Sequence, residues 1–583
     1  MRQIHILFLL YFFIGFGNVI ILAQDDEKVW FDGMGRSFFT RDALRDEVNY
    51  LDTLSSQSSS TGYNLLDLNT HINPIADFEI FAQLRIRNTF GGFFGSGTSI
   101  DVRQLRATGV INKKVRFNIG DIFLNQTRFT LHNYQEGIVS FQSDLFNSYR
   151  DIIQYENFYI DNRWRMQGLQ TDFSFKFDRY IRSLEFDAFV TRPRGSLGIS
   201  ETLYLSDQIM AGGSIITRIS KQLTYSFNYV NLFEIPSSGT TNISIRNPVL
   251  HNSLKFEISK DNYTTNHILH GGFSQRNWLN TEDDAFGTYS FSSTEGIFFE
   301  FENQFLNNDS TLDFIVGFRH IDPNFRSSGA QTRRLDITNP LTIYPTYFNG
   351  LSDRTMSLFD VVSDENIYNQ EISSTLMAYN QIYSNVLPYG DATPNRQGVF
   401  LKLKYRSFDN LIVSKLHAGY FYELIGQGTE EKRQFTQIQA LLKFNASKKL
   451  GLSKKLDFVF NYSIENTSRE GDEIESLNLE CNHIGFNLNA EVADKFFFQT
   501  GVRNLNAVGK EFITERTSYG EIFNFDWQQY DQRDFIFTNG LLYTFNDNIY
   551  TNIQYNVWGT EFNDEETPNF NYSRLFFVLS VKL

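Results

Sequence analysis

One cysteine, Cys481, has to serve a chain of 583 residues. No intramolecular disulfide can form, and no cysteine-based metal cluster. A secreted eukaryotic protein of this length would usually carry bridges. Positive charge is short as well: 52 Lys and Arg against 67 Asp and Glu leave a net charge of -15, which argues against nucleic acid as a partner. Long apolar runs are missing beyond the N-terminus, and nothing there approaches the ~18 residues of a spanning helix. The nine histidines fall into no metal-ligand spacing, and no GxSxG, HExxH or phosphate-cradling loop stands in a credible setting. No catalytic, cofactor or metal site is therefore expected, and the chain does not read as an enzyme. Asn242-Ile243-Ser244 and Asn262-Tyr263-Thr264 match the glycosylation pattern, as chance provides in an Asn-rich chain.

Aromatic residues are abundant instead. There are 59 Phe and 29 Tyr, yet the mean hydropathy is only -0.32. Apolar side chains diluted almost one for one by polar ones suit a sheet with one apolar and one wet face. Residues 1–23 read as a signal peptide: Arg2 gives the positive start, Ile6 to Gly15 is uncharged and apolar, and Leu22-Ala23 precedes Gln24-Asp25-Asp26-Glu27.

Period two then repeats along the chain. Phe78, Ile80, Ala82, Leu84 and Ile86 alternate with Glu79, Phe81, Gln83, Arg85 and Arg87. Leu223 to Val230, Leu312 to Phe318 and Ile549 to Val557 do the same. About twenty such runs lie between Ala76 and Leu583, most near the ~10 residues a tilted transmembrane strand needs. Short polar turns such as Lys113-Lys114, Asp178-Arg179 and Asp494-Lys495 alternate with long irregular segments at 124–170, 231–252, 322–397 and 506–534. This is the pattern of an all-β, large closed antiparallel transmembrane β-barrel, with short periplasmic turns and long extracellular loops. Between 18 and 20 strands are expected by that count, roughly. Aromatics such as Phe496, Phe498, Phe545, Tyr550 and Trp558 near strand ends fit a membrane interface. Residues 24–75, polar and without sustained period, read as a periplasmic N-terminal segment, with the barrel at 76–583. That segment is too short for the plug of a TonB-dependent transporter or for a string of docking domains.

Parity assigns the lumen. If the face from Phe78 to Ile86 meets lipid, then Glu79, Gln83, Arg85 and Arg87 point inward, and so do Glu300, Glu302, Gln304, Lys402, Lys404, Gln499 and Arg503. Both signs mix there, as in a wet interior without ion preference. Near Cys481 to Ile484 the apolar parity slips, which reads as a β-bulge with Cys481 as a small wall residue. His270 and Ser274 share a strand face but stand roughly 13 Å apart, so they are expected to be polar wall residues rather than a catalytic pair. The segment 322–397, with Arg333-Arg334, Tyr344-Pro345 and Leu387-Pro388-Tyr389-Gly390, is expected to be an ordered loop that constricts the pore or caps it. Segment 124–170, with Tyr155, Phe158, Tyr159, Trp164 and Arg165, is a second candidate for that task.

Phe90-Gly91-Gly92-Phe93-Phe94-Gly95-Ser96-Gly97, Asp101-Val102-Arg103-Gln104-Leu105 and Asn118-Ile119-Gly120-Asp121-Ile122 resemble uncharacterised outer-membrane barrel proteins of the Bacteroidota, as does the Asn- and Phe-rich composition. A last strand running to Leu583 is similar to the terminal signal read by the barrel-assembly machinery, although the usual last residue is aromatic. The resemblance implies an outer-membrane address and lends no activity. The expected role is a porin-like channel for passive passage of small solutes. The alternative is a plugged barrel serving an outer-membrane secretion or assembly complex. Outer-membrane lipid, the assembly machinery and outer-membrane protein partners are the expected company.

Overall fold

The computed structural model describes residues 28–583, apart from 47–56, 91–96, 134–140, 195–206 in large part, 236–242, 281–289, 332–385, 517–521, 564–568 and a few single positions. The signal peptide at 1–23 lies outside the described residues. Twenty-two antiparallel strands form one sheet in which each strand pairs with its neighbours in the chain. The first strand, Val29–Asp46, also pairs with the last, Phe570–Lys582, from Met34↔Lys582 to Asp46↔Phe570. That seam closes the barrel. Among the described residues no helix is long and apolar enough to cross a membrane.

Two expectations need correction. The barrel has 22 strands rather than 18 to 20. The extra pair comes from the segment expected to be periplasmic: Val29–Asp46 and Gln57–Ile75 are wall strands, in register from Val29↔Ile72 to Leu44↔Gln57. Both hid because their outward apolar residues are interrupted. Met34, Arg36 and Thr40 are buried on the inner side, which leaves Gly33, Gly35, Ser37 and Arg41 on the alternate face with Phe31 and Phe39, and on the second strand Ser58, Ser60, Gly62 and Asn64 precede Leu66 and Leu68. A lipid-facing row of that kind has no sustained hydrophobic period to read.

Elsewhere the alternation carries the wall. On strand Ser290–Asn307, Ile297, Phe299 and Phe301 are exposed, while Phe298, Glu300 and Glu302 are buried. Leu254 and Phe256, Val399, Phe486, Val502, Phe537, Leu541 and Ile553 continue the exposed apolar face around the barrel. A face of this extent has no aqueous equivalent in a monomer and belongs against hydrocarbon. Phe496, Tyr543 and Phe545 gather near the short-turn end, where an interfacial girdle would stand. Trp558 does not join it. It is 2% exposed, on the inner parity with Asn552, Gln554 and Asn556, and Tyr550 shares that parity.

Strand Leu477–Ala493 pairs without interruption from Arg469↔Leu477 to Leu456↔Ala490. The bulge expected at Cys481 to Ile484 is therefore not present. Leu477 and Leu479 are simply apolar residues on the inner face, buried at 3% and 7%, and Cys481 lies on that face opposite Glu465. A bulge occurs instead at Arg103, where the pairing jumps from Gln83↔Gln104 to Leu84↔Val102.

The short connections, such as 76–77, 112–114, 494–495 and 547–548, lie at the end that holds Val29 and Leu583. The long ones, 125–163 and 322–395, lie at the other. Phe301→Arg places a charge at mid-height on the lipid face and is expected to destabilise the barrel by about 2–4 kcal/mol. Phe301→Leu should cost far less. Urea unfolding in phospholipid vesicles measures both, and equal stabilities would remove Phe301 from the bilayer.

Candidate functional site: the occupied lumen

The inner wall is not a ring of solvated charges. In its long-loop half it is a core. Val230 and Leu232 follow Asn228 on the inner parity of strand Leu223–Ile235 and pack with Ile122, Leu124, Leu131, Trp164, Met166, Phe189 and Met210. A second cluster joins Phe129, Val249, Phe298, Ile321, Phe325, Ala330 and Ala392. Phe129, Leu131, Phe325, Ala330 and Ala392 belong to loops, so both long loops fold onto the wall. They also lock to each other: Trp164 Nε1 donates to Gly329 O at 2.9 Å, His132 N to the same oxygen at 2.8 Å, and Ser327 Oγ to Thr130 O at 3.3 Å. Glycine permits the contact. A Cβ on Gly329 would stand 2.6 Å from Thr130 O, and one on Gly296 would stand 2.2 Å from Phe325 N.

One charge cluster fastens this interlock. Glu300 and Arg319 are ion-paired neighbours across two strands, and Arg319 Nη1 reaches Asp391 Oδ1 at 3.0 Å. Arg128, from the other loop, pairs with Glu300, meets Glu302 Oε1 at 2.6 Å and lies 3.8 Å from Asp391. Lys402 Nζ is 3.5 Å from Asp391 Oδ2. Burial alone would push the Asp391 carboxyl up, but Arg319, Lys402 and Arg128 overcome this and hold it well below the usual carboxylate range. His270, Glu300 and Glu302 also bring ligand-type atoms within 4.8 Å of one another. The Arg128 guanidinium already supplies there the positive charge that a metal ion would bring. His270 faces His251 (Nδ1 to Nε2, 3.0 Å), with Phe129 stacked on His251 and tilted against His270. Ser274 serves a different partner, accepting from Arg326 N at 2.8 Å.

A second cluster lies across the bore. The α-helix Asn147–Glu156, with a 3-10 turn Asp144–Phe146 before it, sits inside the barrel with both ends held. At its start Lys443 Nζ reaches Asp144 Oδ2 at 2.5 Å, Gln554 donates to Leu145 O at 2.6 Å, and Asn552 donates to Ser148 Oγ at 2.8 Å. Arg503 lies over the Phe146 ring at 5.3 Å. At its end the first four strands converge on two residues. Tyr155 Oη donates to Asp67 Oδ2 at 2.5 Å. Arg36 Nη1 binds Glu156 Oε1 at 2.7 Å, and Arg85 pairs with the same carboxylate. Arg85 is also bidentate to Asp67, at 2.8 Å twice. The bulge turns Arg103 inward, where it meets Asp67 at 3.0 Å and donates to the carbonyls of Tyr155 and Glu156, 3.0 Å each. A guanidinium on the last carbonyls suits the negative end of the helix dipole. Burial, then the Asp67 carboxylate, pushes the Tyr155 hydroxyl up, so it stays a donor.

The expected lumen residues thus go to different places. Glu300, Glu302 and Lys402 join the first cluster, Arg85 the second, and Arg503 backs the start of the helix. Glu79 Oε1 stands 2.6 Å from His71 Nδ1 near the short-turn end. Arg87 lies over Tyr63 at 4.4 Å, and Lys404 stands exposed on the Lys402 face. No single ring unites them. Reading the wall alone missed Arg36, Asp67, Arg103, Glu156, Arg128, Arg319 and Asp391. Arg36 and Asp67 lay in the segment set aside as periplasmic, while Arg128, Glu156 and Asp391 sit in loops, where no period shows direction.

No family model matches the chain, and no curated protein does. Its fold is similar to OpdQ of Pseudomonas aeruginosa, at 10% identity over 95% of this chain and 98% of that one, with a TM-score of 0.33. It is similar to a loop-deletion mutant of OmpT, an outer membrane protein of Vibrio cholerae, at 8% identity over 96% and 100%, TM-score 0.24. The ferric citrate transporter FecA matches at 11% identity over 95% and 79%, TM-score 0.46. The barrel rests on its own closed strand pairing, not on these likenesses.

Asp67→Ala leaves Arg85 and Arg103 short of a buried counter-charge and is expected to cost roughly 3–5 kcal/mol. A denaturation midpoint unchanged from wild type would contradict that role. Since the folded Asp391 carboxyl is held below its ordinary value, its docking contributes fully above the usual carboxylate range and is lost only as pH falls below it. Limited proteolysis at pH 7 and pH 5 should therefore cut beside residues 389–393 equally slowly. Asp391→Asn should be cut faster at both.

Proposed function

We propose that the chain is a porin-like channel of the outer membrane whose bore is narrowed by an internal helix, passing small solutes passively. The observation that carries this is the attachment of Asn147–Glu156 by both ends to the inner wall, through Lys443, Gln554 and Asn552 at its start and Arg36, Arg85 and Arg103 at its end, with Ile152 packed on Phe576 and Val578 between them. Ten helical residues run about 15 Å, and laid along the inner wall they take room from a bore that wall side chains of a 22-strand barrel cannot fill. The side-chain carboxylate of Asp144, 48% exposed, speaks for open space beside the helix start. In this reading segment 124–170 does the narrowing that was expected first of 322–397, whose stretch 332–385 lies outside the described residues. The signal peptide, release into the periplasm and insertion by the assembly machinery of a Gram-negative cell belong to the same proposal.

The interlock of the two loops favours a second reading, a plugged barrel that serves as a scaffold. Phe129, Leu131 and Phe325 are fully buried in it, as in a protein interior and unlike a channel lining. Planar-bilayer recordings separate the two. A channel gives a small steady conductance, and replacing residues 141–160 by a short Gly-Ser linker raises it by at least about twofold. Silence from both proteins, each shown folded by its heat-modifiable mobility, would leave the scaffold.

A further inference from the structure

The two buried clusters differ in charge. The interlock holds three cations, Arg128, Arg319 and Lys402, against three carboxylates, Glu300, Glu302 and Asp391. The helix latch holds three guanidiniums, Arg36, Arg85 and Arg103, against two, Asp67 and Glu156. Its excess positive charge is buried: these arginine side chains are 3%, 4% and 3% exposed. Two donors there, Arg36 Nε and Arg103 Nε, are buried without an acceptor. Unsatisfied buried donors on charged groups are costly, and they mark a place where a further oxyanion would be stabilised.

The two carboxylates are also unequal. Asp67 is fully buried and held by Arg85 in bidentate fashion, by Arg103 and by Tyr155. Glu156 is 13% exposed and belongs to the helix rather than the wall. It is the member that can leave, and a solute approaching Arg36 and Arg85 meets it first.

We propose that Arg36, Arg85 and Arg103 form a binding site for the carboxylate of a small anionic solute, and that Glu156 occupies this site until the solute displaces it. Asp67 stays as the fixed counter-charge that orients Arg85 and Arg103. Displacement removes the carboxylate tether of the helix end and leaves Tyr155 on Asp67 and Arg103 on the last carbonyls, so the wall keeps its charge balance while Asn147–Glu156 is loosened by the same event. The proposal deepens the channel reading by naming its solute class. A barrel that never conducts would still carry the site as a ligand-sensitive plug.

Hydrogen–deuterium exchange of the helix amides tests this in the purified full-length barrel, with succinate as the probe and potassium chloride at equal ionic strength as the control. Exchange within Asn147–Glu156 is expected to rise with succinate to about tenfold over the chloride control, as linkage to an opened state requires, while the interlock at 127–132 does not change. Glu156→Gln removes the internal competitor and the charged tether together, so its helix amides should exchange fast already in chloride, with little further rise in succinate. Equal exchange of the wild-type helix in succinate and chloride would overturn the proposal, as would a Glu156→Gln helix that exchanges in chloride as slowly as the wild type. Neither outcome depends on conductance. A succinate response in a silent barrel refutes the channel alone, and a conducting barrel without the response refutes the site alone.

Discussion

Everything in this structure depends on the seam between Val29–Asp46 and Phe570–Lys582. In hydrocarbon an unpaired backbone N–H or C=O costs several kcal/mol, and an open edge would expose a whole row of them. The first strand is therefore held by its backbone whatever its side chains are. That is how a strand whose outward row runs through Gly33, Gly35, Ser37 and Arg41, with Phe only at 31 and 39, stands in a wall whose other strands show unbroken runs of Phe, Leu and Val there. Closure also places Val29 and Lys582 at the rim of the short turns.

A circle of this many strands then poses its own difficulty. Its wall side chains cannot fill the interior, and an inner wall with Val230, Leu232, Val249 and Phe298 on it cannot simply face water. The long loops resolve both by folding in. They bring apolar side chains to the apolar positions and opposite charges to the buried ones. Removing a charge from water is expensive unless partners meet it with good geometry. Glu300 with Arg319 and Arg128, and Asp67 with Arg85 and Arg103, satisfy that condition.

What could be read from the chain follows the same division. Where one strand face meets lipid and the other meets polar groups, hydrophobic alternation states the direction of each side chain, and the inward face of Glu79, Arg85, Glu300 and Lys402 is visible residue by residue. Where both faces are apolar the signal fails. Leu477 and Leu479 look like the outward row of a strand that later slips, although they point into the core. Where Gly, Ser and Arg interrupt the outward row, as between Phe31 and Phe39, it fails in the other direction, and two strands vanish into a polar leader. The clusters themselves were out of reach, because each joins wall residues to a loop residue far away in sequence: Arg36 to Glu156, Asp67 to Tyr155, Arg319 to Asp391. Only the aromatic and Arg density of 124–170 hinted that this segment had something to pack against.

The two parts of the interior differ in how they can move. The interlock of 127–132 with 325–330 buries phenylalanine and leucine side chains completely, so parting it would expose apolar surface to water at about 25 cal/mol for each Å². The helix end at Tyr155 and Glu156 combines packing of Tyr155 on the Met34, Tyr63 and Leu65 cluster with hydrogen bonds and ion pairs from Arg36, Asp67, Arg85 and Arg103. Polar contacts of that kind can be exchanged for contacts to water or to a solute with little net change. A barrel interior built this way has a rigid part that keeps the wall and loops in register. It also has a second part, the helix end, whose ion pairs and hydrogen bonds can be exchanged at less cost than buried apolar contacts.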